Sequence, residues 1–455
     1  MTRTAPRALL ALALLVPAAA GCGGGAEVGG PDTVTVTVGY QSKTINTVTV
    51  GTLLRSLGYF EEELEERGAR DGVTYEVRWQ DYATGAPITA QMTAGKIDIG
   101  SMGDFPLLLN AARGKQLDRP TRLVSVTGYN LRGGLNTIVT APGSGLTSLR
   151  DLKGTKVSTS VGSAADGTLV RALQREGLDP DKDIRKLNQQ PAVGASALQS
   201  GSADALSQFV AWPGLLAHQG RATALYDGAA LGLPTFHGVT AREDFAEEHT
   251  AVLEDFLRAQ IRATKYLREK PVAAAESVAR ATGLPAEVVY LYNGANGIAT
   301  FGTAVRPDLV AALKQDVPVL ASAGLVGDLD AESFVDAFVD DRYLRRAHGA
   351  GYDAALTAKA PAARGELWRK DGTTRSYDSP EALLSAVAAD RGAVRAAYVP
   401  DATTGTPWFA DKAVWVADGD ALLPFLAPSA AADWIAAHPG ARTLPYAQAL
   451  ERAAS

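Results

Sequence analysis

The sequence predicts an α/β chain of two lobes with a small α+β domain after them, and three observations carry that prediction. From Thr33 onward, runs of β-branched residues alternate with stretches of helical period, the grammar of a sheet flanked by helices. One module, a helix, a glycine, a short strand, a loop and a proline-led helix, occurs twice, in "APITAQMTAGKIDIGSMGDFPLLL" and again in "ALQSGSADALSQFVAWPGLLAHQG". After His348 an Ala-rich stretch gives way to short strands and helices of a different style.

The amino terminus reads as an export segment. Arg3 and Arg7 precede an apolar block from Ala8 to Ala20, and small residues stand before Cys22. That block is far short of the roughly 20 residues a spanning helix needs. Residues 1–21 are therefore expected to be a signal peptide. Small residues followed by Cys resemble a bacterial lipobox, although Ala19 stands where Leu is usual, and this implies that mature Cys22 carries lipid. Residues 22–33, rich in glycine, then form a flexible tether. The chain is expected at the outer face of a bacterial cytoplasmic membrane, anchored through that lipid.

Composition narrows the function. The chain has 455 residues, 46% of them hydrophobic, with a formal net charge of −6. Without a basic stripe, nucleic acid is not an expected partner. Cys22 is the sole cysteine, so no internal disulfide, thiolate metal cluster or catalytic cysteine is available within the chain.

Taken in order, "TVTVTVGY" is a strand and "GTLLRSLGYFEEELEERG" a helical stretch with a break near Gly58. "TYEVRW" puts Tyr75, Val77 and Trp79 on one face of a second strand. Pro87 suits a first helical turn and Gly95 a stop. In "IDIGSMGDFP" a short strand is expected to end in a turn over Ser101 to Asp104, with Asp104 capping a helix that Pro106 opens. A second lobe starts near Thr137: the strand "TKVSTS", a small-residue loop from Ser160 to Asp166, and a helix with Leu169, Val170 and Leu173 inward, stopped by Gly177. From "AREDFAEEH" to about Arg346 the pattern is helical, with Phe256, Ile261 and Tyr266 among its apolar positions, and is expected to pack on the first lobe.

"VGYQSKTINTVTVGTLLRSLGYFEEEL", "AGKIDIGSMGDFPLLL" and "LRDLKGTKVSTSVGSAADGTLVRALQREGL" resemble the solute-binding proteins of ABC importers for nitrate, taurine and alkane sulfonates. The resemblance runs from about Val34 to Arg346. It implies a two-lobed periplasmic-binding-protein fold of type II, with lobe 1 at about 34–136 and 235–346, lobe 2 at about 137–234, and ligand between them. It also implies a permease and ATPase as partners, a small anionic or organic solute, and neither catalysis nor a cofactor.

The residues offer their own case for the cleft. Ligands of open α/β sheets sit beyond the carboxyl ends of strands, where helix N-termini point unpaired N–H groups. Four small-residue loops fall there: Gly39 to Ser42, Tyr82 to Gly85, Ser101 to Asp104, and Ser160 to Asp166. By resemblance the contacts fall on Gln41, Ser42, Tyr82, Thr84, Gly85, Gly103, Asp104, Ser160, Gly162, Ser163 and Trp212. Each also has a bland reading: Ser163 and Asp104 as helix caps, and Trp212 as a packing residue where the family usually has an acid. Arg132, between the lobes, reads as solvent-facing.

Residues 347–364 read as a linker and 365–455 as the small domain: strand, turn at Asp371-Gly372, strand, helix from "DSPEALL", two strands, helix and a final strand. "KDGTTRSYDSPEALL" and "YVPDATTGTPWFADKAVWV" resemble the accessory copper lipoprotein of nitrous oxide reductase. The tail contains no sulfur, the methionines being Met1, Met92 and Met102, so Cu(I) lacks its preferred ligands and no metal is expected. The tail is expected to be dispensable for ligand binding. Two alternatives stand beside the receptor reading: an envelope copper-handling protein, and a thiamine-precursor protein or enzyme of the same fold. The latter is weakened because His218, His237 and His249 lack metal-ligand spacing.

Overall fold

A computed structural model describes residues 33–358 and 362–455. The signal segment, Cys22 and the tether lie outside the described residues.

The first lobe opens with β1 (Thr33–Tyr40), β2 (Thr74–Asp81), β3 (Ile99–Gly103) and β4 (Thr121–Asn130). The second contains β5 (Asn136–Thr140), β6 (Lys156–Thr159), β7 (Arg185–Asn188), β8 (Ala205–Phe209) and β9 (Thr223–Asp227). The chain then returns to the first lobe with β10 (Thr235–Arg242) and β11 (Thr300–Phe301). The first sheet runs β11-β4-β10-β3-β1-β2 and the second β7-β6-β8-β5-β9. In each, β-α-β crossovers give parallel pairs, β1 with β2 and β3, and β6 with β7 and β8. The returning strand β10 lies antiparallel between β3 and β4, which brings His237 opposite Gly103.

Two crossings join the lobes, β4 to β5 and β9 to β10. Asn130 organises the first: its side-chain oxygen accepts the N–H groups of Arg132, Gly133 and Gly134 at 3.0–3.1 Å, while Arg132 itself stays exposed. The crossings press together at Gly133 and Gly228. A Cβ on Gly133, whose φ is +104°, would lie 2.8 Å from the Gly228 carbonyl oxygen, so only glycine fits there.

Local signals shape the helices as their residue types require. Gly58 adopts a left-handed conformation and separates the helices Thr52–Leu57 and Tyr59–Asp71. The second buries Phe60 edge-on against Phe256 of the helix Thr250–Glu269, with ring centroids 5.1 Å apart. Below them the fully buried Asp255 is paired with both Arg67 and Arg258. Tyr75, Val77 and Trp79 share the more buried face of β2.

Three local expectations need correction. The stretch Ser101 to Gly103 is strand, not turn, because it pairs in register with β10. The following helix, Asp104–Gln116, starts two residues before Pro106, and Asp104 is its first residue, accepting from the N–H groups of Phe105 and Phe236 rather than capping from outside. The expected linker is folded for half its length: the helix Tyr352–Leu356 buries Tyr352 among first-lobe residues, with its hydroxyl donating to Asp341 at 2.6 Å.

The tail has more strands than its sequence suggests. β12 (Gly365–Arg369), β13 (Thr374–Tyr377), β14 (Val394–Pro400) and β15 (Pro407–Phe409) form one antiparallel sheet in the order β13-β12-β14-β15. β16 (Val414–Asp418), β17 (Ala421–Phe425) and β18 (Arg442–Leu444) form another, and a helix, Tyr446–Ala454, follows. Four strands stand where two were expected, since short strands split by single turns read as one. Nor is the tail a free appendage. Trp368, Tyr398, Trp408 and Phe409 share a core with Ile45, Val210, Tyr290 and Tyr292.

Candidate functional site: the cleft between the lobes

Three helices start at a cavity of about 1030 Å³ between the two sheets: Gly85–Thr93 and Asp104–Gln116 from the first lobe, and Ala164–Arg175 from the second. The first N–H groups of a helix have no backbone acceptor within it, and its N-terminus carries about half a positive charge; here the Phe105 N–H is taken by the Asp104 side chain and the Asp166 N–H by the Ser163 side chain.

Of the residues singled out from the sequence, Gln41, Thr84, Gly85, Gly103, Ser160, Gly162 and Ser163 line this one cavity. Gln41 is fixed by donating from Nε2 to the Ser101 carbonyl at 3.1 Å. Gly85 is required by close packing, because a Cβ there would fall 2.8 Å from that of Pro106. On the second lobe, the Ser160 hydroxyl donates to the Gln189 carbonyl at 2.9 Å and accepts from Gln208 Nε2 at 3.1 Å. Ser163 caps its helix by accepting from the Asp166 N–H at 3.3 Å, a bond worth about 1 kcal/mol.

The other four do not line the cavity. Ser42 is turned to the Asp81 carboxylate, which accepts from its N–H at 2.8 Å and its hydroxyl at 2.6 Å. Tyr82 donates to Gln80 at 2.6 Å. Trp212 is partly buried, with the Lys43 ammonium 5.9 Å from its ring centre. Asp104 is buried beneath the cavity, where desolvation pushes its carboxyl up to about 6 against the pull of two N–H groups and Arg171.

Sequence reading passed over His237, Asn188, Gln189 and, in the loop before Asp330, Gly324 to Gly327 and Leu329, all of which line the cavity; Asp328 in that loop does not. His237 becomes visible only through the pairing of β10 with β3, a contact more than a hundred residues apart in sequence. It is 4% exposed, and burial pushes its ring down to about 3, so it is neutral. The lining contains no Asp or Glu; its charged members are Arg113 and Lys115, exposed at the far end of their helix. Apolar side chains, among them Leu109, Phe209 and Leu325, complete the wall. The arrangement suits a small anion with an apolar body.

The lobes touch beside the cavity. Arg171 of the second lobe donates to Asp316 at 2.6 Å and to the Gln315 carbonyl at 2.7 Å, both on the helix Pro307–Ser322. Its guanidinium also stands 5.6 Å from the Phe105 ring centre. Phe105 in turn abuts Gly167 so closely that a Cβ there would lie 2.1 Å from the ring.

A family model described as "NMT1/THI5 like" matches residues 71–274. A putative aliphatic sulfonates-binding protein of Escherichia coli (strain K12) is 28% identical over 255 residues, 56% of this chain and 74% of that protein. Among solved structures, the alkanesulfonate-binding protein SsuA from Xanthomonas axonopodis pv. citri bound to MOPS superposes with a TM-score of 0.56 at 22% identity, over 69% of this chain and 99% of that one. A Candida albicans protein described as exhibiting the generic periplasmic binding protein structural fold superposes with a TM-score of 0.53 at 12% identity, over 68% of this chain and 96% of that one. The two lobes thus have the periplasmic-binding-protein fold, and within them residues 71–274 are similar to the family described as NMT1/THI5 like.

Proposed function

We propose that this chain is an extracytoplasmic receptor of an ABC importer that captures a small sulfonate between its lobes and delivers it to a permease. The observation that carries the reading is the convergence of three helix N-termini on a cavity whose lining has hydroxyls, amides and a neutral histidine but no carboxylate. Such a wall offers donors to an anion and no counter-charge to an ammonium group. The same wall favours an alkanesulfonate with an uncharged body over zwitterionic taurine, whose amine would be desolvated without a counter-charge. Lipid attachment at Cys22 belongs to this proposal, and holds the receptor beside its permease and ATPase. The likeness of the tail to a copper lipoprotein enters as a likeness of fold, since the tail lacks the sulfur ligands that Cu(I) takes.

A thermal-shift panel of ethanesulfonate, MOPS, taurine, nitrate, sulfate and acetate tests it. A ligand at a hundred times its dissociation constant adds about 2.7 kcal/mol of apparent stability. The expected order is ethanesulfonate first, with the amine-bearing sulfonates MOPS and taurine behind it and taurine, whose amine stays fully protonated, last among the sulfonates. A panel in which no anion raises the melting temperature contradicts the receptor reading, and taurine in first place contradicts the choice of body.

A further inference from the structure

His237 is a buried histidine whose two ring nitrogens face different worlds. Nδ1 lies 2.6 Å from Asn46 Nδ2, and the same amide nitrogen lies 3.3 Å from the Gly128 carbonyl oxygen. A carbonyl oxygen can only accept, so with the Asn46 amide nitrogen on this side its two hydrogens serve Gly128 and His237, while its Oδ1 stays buried without a partner. Nδ1 therefore accepts. A neutral ring with a bare Nδ1 carries its proton on Nε2. Nε2 points the other way, toward the start of the helix Asp104–Gln116, where a Cβ on Gly103 would lie 3.2 Å from it. Among the described residues no protein group accepts from Nε2, and the ring lines the cavity.

We propose that Asn46 fixes His237 as its Nε2–H tautomer, so that the ring presents a neutral, immobile hydrogen-bond donor to the anionic head of the solute beside the N-terminus of the helix Asp104–Gln116. The proposal rests on the receptor reading. A satisfied core histidine would find a protein acceptor for its second nitrogen; this one keeps a donor for the ligand. Gly103 completes the arrangement, because any side chain there would crowd the space between the ring and the helix terminus. Fixing the donor beforehand means that little is spent on ordering it when the ligand arrives. A donor of fixed polarity also selects the head group: it suits an oxyanion that only accepts, such as a sulfonate, and opposes a head that turns an O–H toward it.

Two measurements on the full chain test this. In protein labelled with ¹⁵N at histidine, with His237→Gln identifying the resonances, Nε2 should be protonated and Nδ1 bare in the absence of ligand, and ethanesulfonate should shift the Nε2–H signal. Titration calorimetry with ethanesulfonate should show His237→Gln, whose amide can still donate, binding within a few fold of wild type. His237→Phe, which fills the space without a donor, should bind at least tenfold more weakly. A proton found on Nδ1, or His237→Phe binding within twofold of wild type, overturns the proposal while leaving the receptor reading in place. Should His237→Phe fail to fold, the tautomer and the ligand-induced shift in wild type still decide. A wild type that binds no anion of any class overturns both.

Discussion

Single residues in this protein are balanced by burial against pairing, and the contact between lobes shows it best. Asp316 is buried, which together with the nearby charge of Asp104 raises its pKa well above the usual carboxylate range; Arg171 pulls the other way. A carboxyl whose folded pKa is raised adds stability below its unfolded value of about 3.9, and loses that contribution as pH rises through the folded value. Removing Arg171 removes the one nearby positive charge that opposes the rise. Arg171→Met should therefore cost least at low pH and progressively more as pH rises through the raised pKa of Asp316, up to about 3–5 kcal/mol for a broken buried pair. Urea midpoints of variant and wild type, compared across that rise in pH, check this. A gap independent of pH would mean that Asp316 keeps one charge state across the range, and would contradict its titration against Arg171.

At the scale of elements, the tail is tied to the body by large aromatic contacts and by charges. Trp368 lies 4.8 Å from Tyr290 between ring centroids, with the Arg395 guanidinium 3.9 Å from its ring centre. Arg395 pairs with Glu276 at 3.0 Å and Glu287 at 2.7 Å, and the Tyr290 hydroxyl donates to Glu366 at 2.7 Å. Trp368→Ala should destabilise body and tail together by about 3–5 kcal/mol. The measurement is urea unfolding followed by circular dichroism: one transition at a lower midpoint is expected, and a tail that melts first while the body keeps its midpoint would contradict a shared core. This union was not legible beforehand. The rise and fall of helix and strand could be read where glycines punctuate it, at Gly58, Gly95 and Gly177, and where β-branched runs are long, as in β1. Ser101 to Gly103 looked like a turn because small residues serve turns and buried strands alike, and only pairing with β10 decides. Equally, nothing local to "GELWR" says that its tryptophan packs on a helix more than seventy residues upstream. Part of the cleft could be read because helix starts leave local signals; His237 could not, since long-range register brings it there, nor could the loop at Gly324, which joins two helices far along the chain.

For the whole molecule, the consequence is a two-lobed clamp with a brace across its back. The tail holds the first lobe through the contacts above and the second through Thr404, whose hydroxyl donates to Asp227 at 2.6 Å, and through Phe409, 5.4 Å from the His218 ring centre. All the cavity-lining residues precede the tail, so the tail acts on the lobes rather than on the ligand. On the proposed receptor reading, opening would pivot on the glycine-pressed crossings at Gly133 and Gly228 and part Arg171 from Asp316, a hinge motion between packed bodies. Everything in this account depends on the anion lying at the meeting of the three helix starts. Crystals of the full chain grown with 2-bromoethanesulfonate test that directly, because bromine marks the body of the ligand by anomalous scattering and the sulfonate by its density. The expected result is a sulfonate between Gly103, His237 and Ser163, with bromine toward Leu109 and Leu325. Bromine found elsewhere, with the cleft holding only water, would contradict the account.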